Sequence, residues 1–204
     1  MRAPLTRHDL RRHSRLAWAS LGALLVTAAW FWLEGATGAA LGTLGALAGC
    51  LGLILPPRER MRVLPPRLRA LPRRCDAAPV LATLISCPGY GLGWFYGDNL
   101  YDEAVHLLNG GLAGAVLAVW LMLDGRPRRR RDLAAAGLKV GLAIAVGWEI
   151  FEWVTGLIGD TLDTVSDILL TTLGTALGAM LPARRRLAAG EGAAPLPVRP
   201  PRET

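Results

Sequence analysis

The chain has 204 residues, of which 52% are apolar and 19% charged, and its formal net charge is +7. A mean hydropathy of +0.33 beside so many charges requires long apolar runs broken by short charged ones. That excludes an ordinary soluble domain, in which apolar and polar residues interleave at helix or strand period.

Residues 1–15 are polar and carry five arginines. An uncharged run follows at 16–33, and Glu34 and Gly35 separate it from a second at 36–55. After a basic segment at 58–76 come apolar runs at 78–97, 104–123, 133–154 and 165–181, the last starting near Asp163. A helix of roughly 20 residues crosses the ~30 Å hydrocarbon core. The expected fold is therefore all-α: a polytopic transmembrane bundle of about six spans. The first run follows a basic leader, as in a signal peptide. Its 18 residues exceed an h-region of ~7–15, however, and a second span follows almost at once. Pro88-Gly89 interrupts the third span and predicts a kink.

Charge orients the bundle. The chain has 22 arginines and one lysine, and all the arginines fall in four segments: the N-terminus, 58–74, 126–131 and the tail after Leu181. The connections near Glu34, at 98–103 and at 155–162 have neither Lys nor Arg. Basic loops stay cytoplasmic, so six crossings with both termini inside satisfy every loop. Trp18 and Trp120 then sit at inner ends, and Trp30, Trp32, Trp94, Trp148 and Trp153 at or near outer ends, as an aromatic belt requires. The organisation is a basic cytoplasmic N-terminus (1–15), a transmembrane hairpin (16–55), a basic interfacial segment (56–77), a four-helix membrane core (78–181) and a disordered cytoplasmic tail (182–204). Arg58, Arg60, Arg62, Arg67, Arg69, Arg73 and Arg74 alternate with apolar residues, which suits a segment lying on anionic lipid headgroups at ~1 kcal/mol per basic residue. Both its ends are tethered to spans, which argues against nucleic acid as the partner.

Cys50, Cys75 and Cys87 form neither a CxxC pair nor an even framework, so no disulfide scaffold or structural zinc site is expected. The second span carries Gly35, Gly38, Gly42, Gly45, Gly49 and Gly52 near one helix face. Gly137, Gly141, Gly174 and Gly178 repeat the spacing in later spans. Small residues at this spacing let helix backbones approach in lipid, within the bundle or in a homo-oligomer.

Eight of the 16 carboxylates gather at the expected outer rim: Asp98, Asp102, Glu103, Glu149, Glu152, Asp160, Asp163 and Asp167. Asp102 and His106 share a helix face at i,i+4. Glu149 and Glu152 share one at i,i+3. Asp163 and Asp167 continue through Thr171, Gly174 and Gly178, a face expected to meet other helices. Asp98, Glu103 and Asp160 read as helix caps or as part of the acidic bias outside. Asp102, His106, Glu149, Asp163 and Asp167 read as a site, with Glu152 between the two classes, because ionisable groups inside a membrane are costly. Carboxylates crowded without Lys or Arg need a cation or protons. Oxygen donors with one imidazole suit Mg²⁺, Mn²⁺, Ca²⁺ or Zn²⁺. Tyr101, Asn109 and Thr171 are polar neighbours expected to bridge helices.

The stretches YDEAVHLLNG, GWEIFEW and DTLDTVSDILLTTLG resemble the YjdF-type family of bacterial integral membrane proteins over roughly 97–178. The same residues more loosely resemble the VanZ-like family. There Asp102 and His106 match the first motif, Glu149 the second, and Asp163, Asp167 and Gly174 the third. Glu103, Glu152 and Thr171 stand where that pattern has Lys, Gln and Asn, so the site is more acidic here. The resemblance implies a bacterial cytoplasmic membrane. The leading expectation is a membrane protein with an outward-facing acidic and histidine site that depends on a metal or on protons; if it is an enzyme, the expected class is metal-dependent hydrolysis or group transfer on a lipid or envelope precursor. In it Asp102, His106, Glu149, Asp163 and Asp167 hold the ion, with Glu152 and His106 as catalytic groups. The alternatives are a small cation- or proton-linked carrier and a structural membrane protein without catalysis. The chain has no HExxH or GxSxG motif, and no second histidine stands at this rim.

Overall fold

The computed structural model describes residues 13–96, 99–156 and 160–189, with the side chains of 182–189 excepted. Six helices carry the fold: α1 (Arg15–Leu33), α2 (Thr37–Ile54), α3 (Ala77–Leu92), α4 (Tyr101–Leu121), α5 (Arg130–Thr155) and α6 (Thr161–Ala189). No strand occurs among the described residues. The protein is an all-α polytopic bundle. Five helices are long and apolar enough to cross a membrane: α1, α2, α4 with its short extension to Asp124, α5, and α6 as far as Leu181. Their outward faces carry Leu25, Val26, Leu142, Ile150, Leu169 and Leu173, all exposed. Exposed leucine costs nothing in lipid, whose tails are as apolar as the side chain.

The expected third span differs. It closes at Leu92, where Gly93 takes a left-handed φ of +69° and accepts the C-terminal cap role that a Cβ would disfavour. At 16 residues α3 is about 24 Å long. It still runs beside α1: Asp76, just before its start, meets His13, and Gly91 near its end lies against the Phe31 ring. Pro88 does not break the helix, which continues through it. Helix α6 runs on to Ala189, into the stretch expected to be disordered from 182, because the helical ladder continues past Pro182; residues 190–204 lie outside the described residues.

The two ends of the bundle differ in charge. At one end Arg67 lies 3.7 Å from Asp124 and 5.4 Å over the Trp120 ring, which joins the basic segment to the end of α4. Two of the seven arginines expected on lipid are not on a surface. Arg73 is buried and donates to the Ile54 carbonyl (2.7 Å), the Pro56 carbonyl (3.2 Å) and both oxygens of Glu59 (2.9 and 2.7 Å). Arg58 pairs with Asp76 and donates to the Leu71 carbonyl. They clamp the loop because buried carbonyls and carboxylates need donors. Arg60, Arg62, Arg67 and Arg74 are exposed and Arg69 is half-buried. The three cysteines are free thiols, and Cys50 lies 3.3 Å from Thr83 Oγ1 between α2 and α3. Burial pushes the Cys75 thiol up, outweighing Arg74 and Arg58 beside it.

The glycines divide into two groups. Gly38, Gly42, Gly45, Gly49 and Gly52 face open space, so the α2 stripe packs against nothing among the described residues. Gly35 lies before the helix, at φ +79°. By contrast, a Cβ at Gly174 would overlap the Leu107 carbonyl, one at Gly178 the Gly111 carbonyl and one at Gly114 the Thr175 carbonyl. Helices α4 and α6 therefore touch backbone to backbone. A Cβ at Gly137 would lie 2.7 Å from the Ala176 Cα, so α5 approaches α6 nearly as closely. Gly178→Val is expected to cost about 1–3 kcal/mol, toward the upper end, because a carbonyl cannot rotate away as a side chain can. Thermal unfolding in detergent measures this; a melting temperature equal to wild type would contradict the close approach.

Candidate metal centre

Short caps fix three helix ends at the rim opposite the basic loops. Asn99 Oδ1 accepts from Tyr101 N (2.8 Å) at the start of α4. Asp160 Oδ1 accepts from Leu162 N (2.8 Å) and Asp163 N (3.0 Å) at the start of α6, the role expected of it. Helix α5 ends at Gly156, φ +73°. Asp102 and His106 then project from the first two turns of α4, and Asp163, Asp167 and Thr171 from the first turns of α6. Glu149 and Glu152 come from the last turns of α5. Asp167 and Glu149 each lie about 9 Å along the axis from their helix ends.

His106 joins α4 to α6. Its Nε2 is 3.4 Å from Asp102 Oδ1 and 3.4 Å from Asp167 Oδ2, and its Nδ1 is 3.0 Å from Thr171 Oγ1. Those two Nε2 distances are long for hydrogen bonds. They match donors sharing one ion, which stand roughly 3.0–3.4 Å apart when each is ~2.1 Å from it. A hydroxyl on Nδ1 is the outer partner that orients a ligating imidazole.

Glu149 supplies the decisive feature. It is 7% exposed, and neither carboxylate oxygen has a hydrogen-bond partner among the described residues. Asp167 is 2% exposed, and its Oδ1 is likewise unpartnered. Burying a carboxylate without partners is among the costliest arrangements a protein can hold. A cation or a proton would resolve it, and the adjoining connections contain no Lys or Arg to serve instead. Donor atoms of Asp102, His106 and Asp167 lie within 4.8 Å of one another, as do those of Glu149, Glu152 and Asp167. Glu152 Oε1 also accepts from Trp148 Nε1 at 2.8 Å. Asp163 lines the adjoining cavity and belongs to neither set. Glu103 is half-buried outside both sets, and Asp98 lies outside the described residues.

The cavity has a volume of about 300 Å³. Its lining combines Asp102, His106, Glu152 and Asp163 with the aromatic rings of Tyr90, Phe95, Tyr96 and Trp148. Ser86 and Asn109 add neutral polar groups, with Asn109 Nδ2 donating to Ser86 Oγ at 3.1 Å. The polar neighbours thus bridge helices as expected, and Tyr101 does so by donating to the Ile85 carbonyl. Sequence reasoning missed the aromatic part of the lining and Ser86. The available signal was Ser86 and Tyr90 at i,i+4 in the span that Pro88 interrupts. It also missed the His13–Asp76–Arg58–Arg73 clamp, whose signal was Asp76 and Glu59 set among the arginines.

A family model described as "Predicted membrane protein (DUF2238)" matches residues 81–187. That is just over half the chain, and it takes in every residue of both donor sets. The chain belongs to this family. It is the YjdF-type family that the acidic motifs resemble. The looser VanZ-like resemblance has no support in the comparisons. No curated protein and no solved structure matches the chain.

Proposed function

We propose that this protein binds a divalent cation between α4, α5 and α6, and that the ion holds the polar head of an amphipathic ligand in the adjoining cavity. The single observation behind this reading is Glu149, a buried carboxylate with both oxygens unpartnered among the described residues. The mixed lining supports the ligand class: its acids suit a metal-bound polar group and its aromatic rings an apolar stem. An ion with open positions toward the cavity polarises a bound oxygen, which suits hydrolysis or group transfer on a lipid or envelope precursor. With a single ion bound, and Glu152 not among its ligands, Glu152 is the candidate to take a proton from water. The test is metal content of the purified protein after dialysis against Mn²⁺, Mg²⁺, Ca²⁺ or Zn²⁺, followed by headgroup release from phospholipid vesicles with and without chelator. Bound metal with chelator-sensitive release supports both steps. Bound metal without release leaves only the binding reading standing, and no bound metal removes it.

The orientation belongs to the same reading: the basic end lies in the cytoplasm of a bacterial cell and the acidic rim outside, since arginine-rich loops resist translocation. In a chain lacking Cys50, Cys75 and Cys87, Asp160→Cys is expected to react with an impermeant maleimide added to intact cells. Arg128→Cys should react only after permeabilisation. Labelling of both from outside contradicts this topology.

A further inference from the structure

From the two donor sets we infer that the centre is binuclear, holding two divalent cations bridged by the carboxylate of Asp167. This rests on the cation-binding reading above and goes beyond it in number and geometry. One set is Asp102, His106 and Asp167, from α4 and α6; the other is Glu149, Glu152 and Asp167, from α5 and α6. They share only Asp167. A carboxylate has two oxygens and can give one to each of two ions ~3.5–4 Å apart. In Asp167, Oδ2 faces His106 Nε2 at 3.4 Å, while Oδ1 is buried and unpartnered among the described residues. A second, independent demand for an ion comes from Glu149. It lies on the α5 side, and the His106 set contains no α5 residue.

Charge agrees with two ions. Asp102, Glu149, Glu152 and Asp167 carry four negative charges when ionised, and two divalent cations cancel them. One ion would leave two charges uncompensated in a site whose adjoining connections lack Lys and Arg. Each ion would have three protein donors. Asp102, His106 and Glu152 also line the cavity, so the remaining positions open toward it. A polar head that offers two oxygens is the ligand such a pair would hold.

Mn²⁺ stoichiometry and electron paramagnetic resonance on the full chain in detergent decide between the possibilities. The expected result is two Mn²⁺ per chain with a spin-coupled spectrum, retained in Glu103→Gln. Asp102→Asn and Glu152→Gln should each leave one ion with an uncoupled six-line signal, and Asp167→Asn should weaken both by at least tenfold. One Mn²⁺ in the wild type overturns the binuclear inference while cation binding survives; two uncoupled ions overturn the bridge. No Mn²⁺ removes the cation reading itself. The wild-type measurement carries these outcomes even if a variant fails to fold.

Discussion

Glu149→Gln is expected to remove the stabilisation conferred by the ion on the α5 side, while leaving the chelated protein as stable as wild type, or more so. In the chelated state the wild type carries a buried carboxylate whose oxygens have no partner among the described residues, and the neutral amide is cheaper to bury. With a cation present the order reverses. A ligand at 100 times its dissociation constant stabilises by about 2.7 kcal/mol. For a chain of this size that corresponds to roughly 5–10 °C in melting temperature. Thermal unfolding of both proteins, with chelator and with saturating Mn²⁺, reads the crossover directly. If chelator shifts both curves equally, Glu149 does not hold the ion.

Arg73→Ala should be the most destabilising single change at the opposite end, at about 3–5 kcal/mol. The guanidinium lies where α2 ends and α3 begins, satisfying the carbonyls of Ile54 and Pro56 and both oxygens of Glu59, with Asp76 at 3.5 Å. Burial alone would lower its pKa, but Glu59 and Asp76 outweigh this and hold it above its ordinary value, so it stays charged at every relevant pH. Removing it leaves two buried carbonyls and an acid pair without their shared donor. Arg73→Lys should recover little, because one ammonium cannot reproduce a planar fork of five donors. Unfolding in detergent gives the magnitude. Cation stoichiometry should be unchanged in folded Arg73→Ala, since the clamp and the proposed metal centre lie at opposite ends of the bundle; a loss of bound metal in folded protein would show that the two ends are coupled.

Much of this architecture is local and therefore legible in the chain. A helix in lipid must satisfy its own backbone, so each apolar run reports its own span, and α1, α2, α4 and α5 begin and end within about three residues of the expected limits. The clustering of acids at one rim follows from span order alone. Only the tertiary structure decided which of those acids are partnered. Glu149 and Glu152 share a face of α5, yet Glu149 is buried with no partner among the described residues while Glu152 reaches the cavity and Trp148. Arg58 and Arg73 read like their five neighbours but turn inward, because buried carbonyls and carboxylates distant in sequence needed donors. The glycine stripes look alike in sequence, and only the packing separates the open face of α2 from the contact of α4 with α6. Hydropathy and charge act along the chain and set spans and ends; side-chain partners come from contacts between helices, whose 3.6-residue period places a residue on a face without naming what that face will meet.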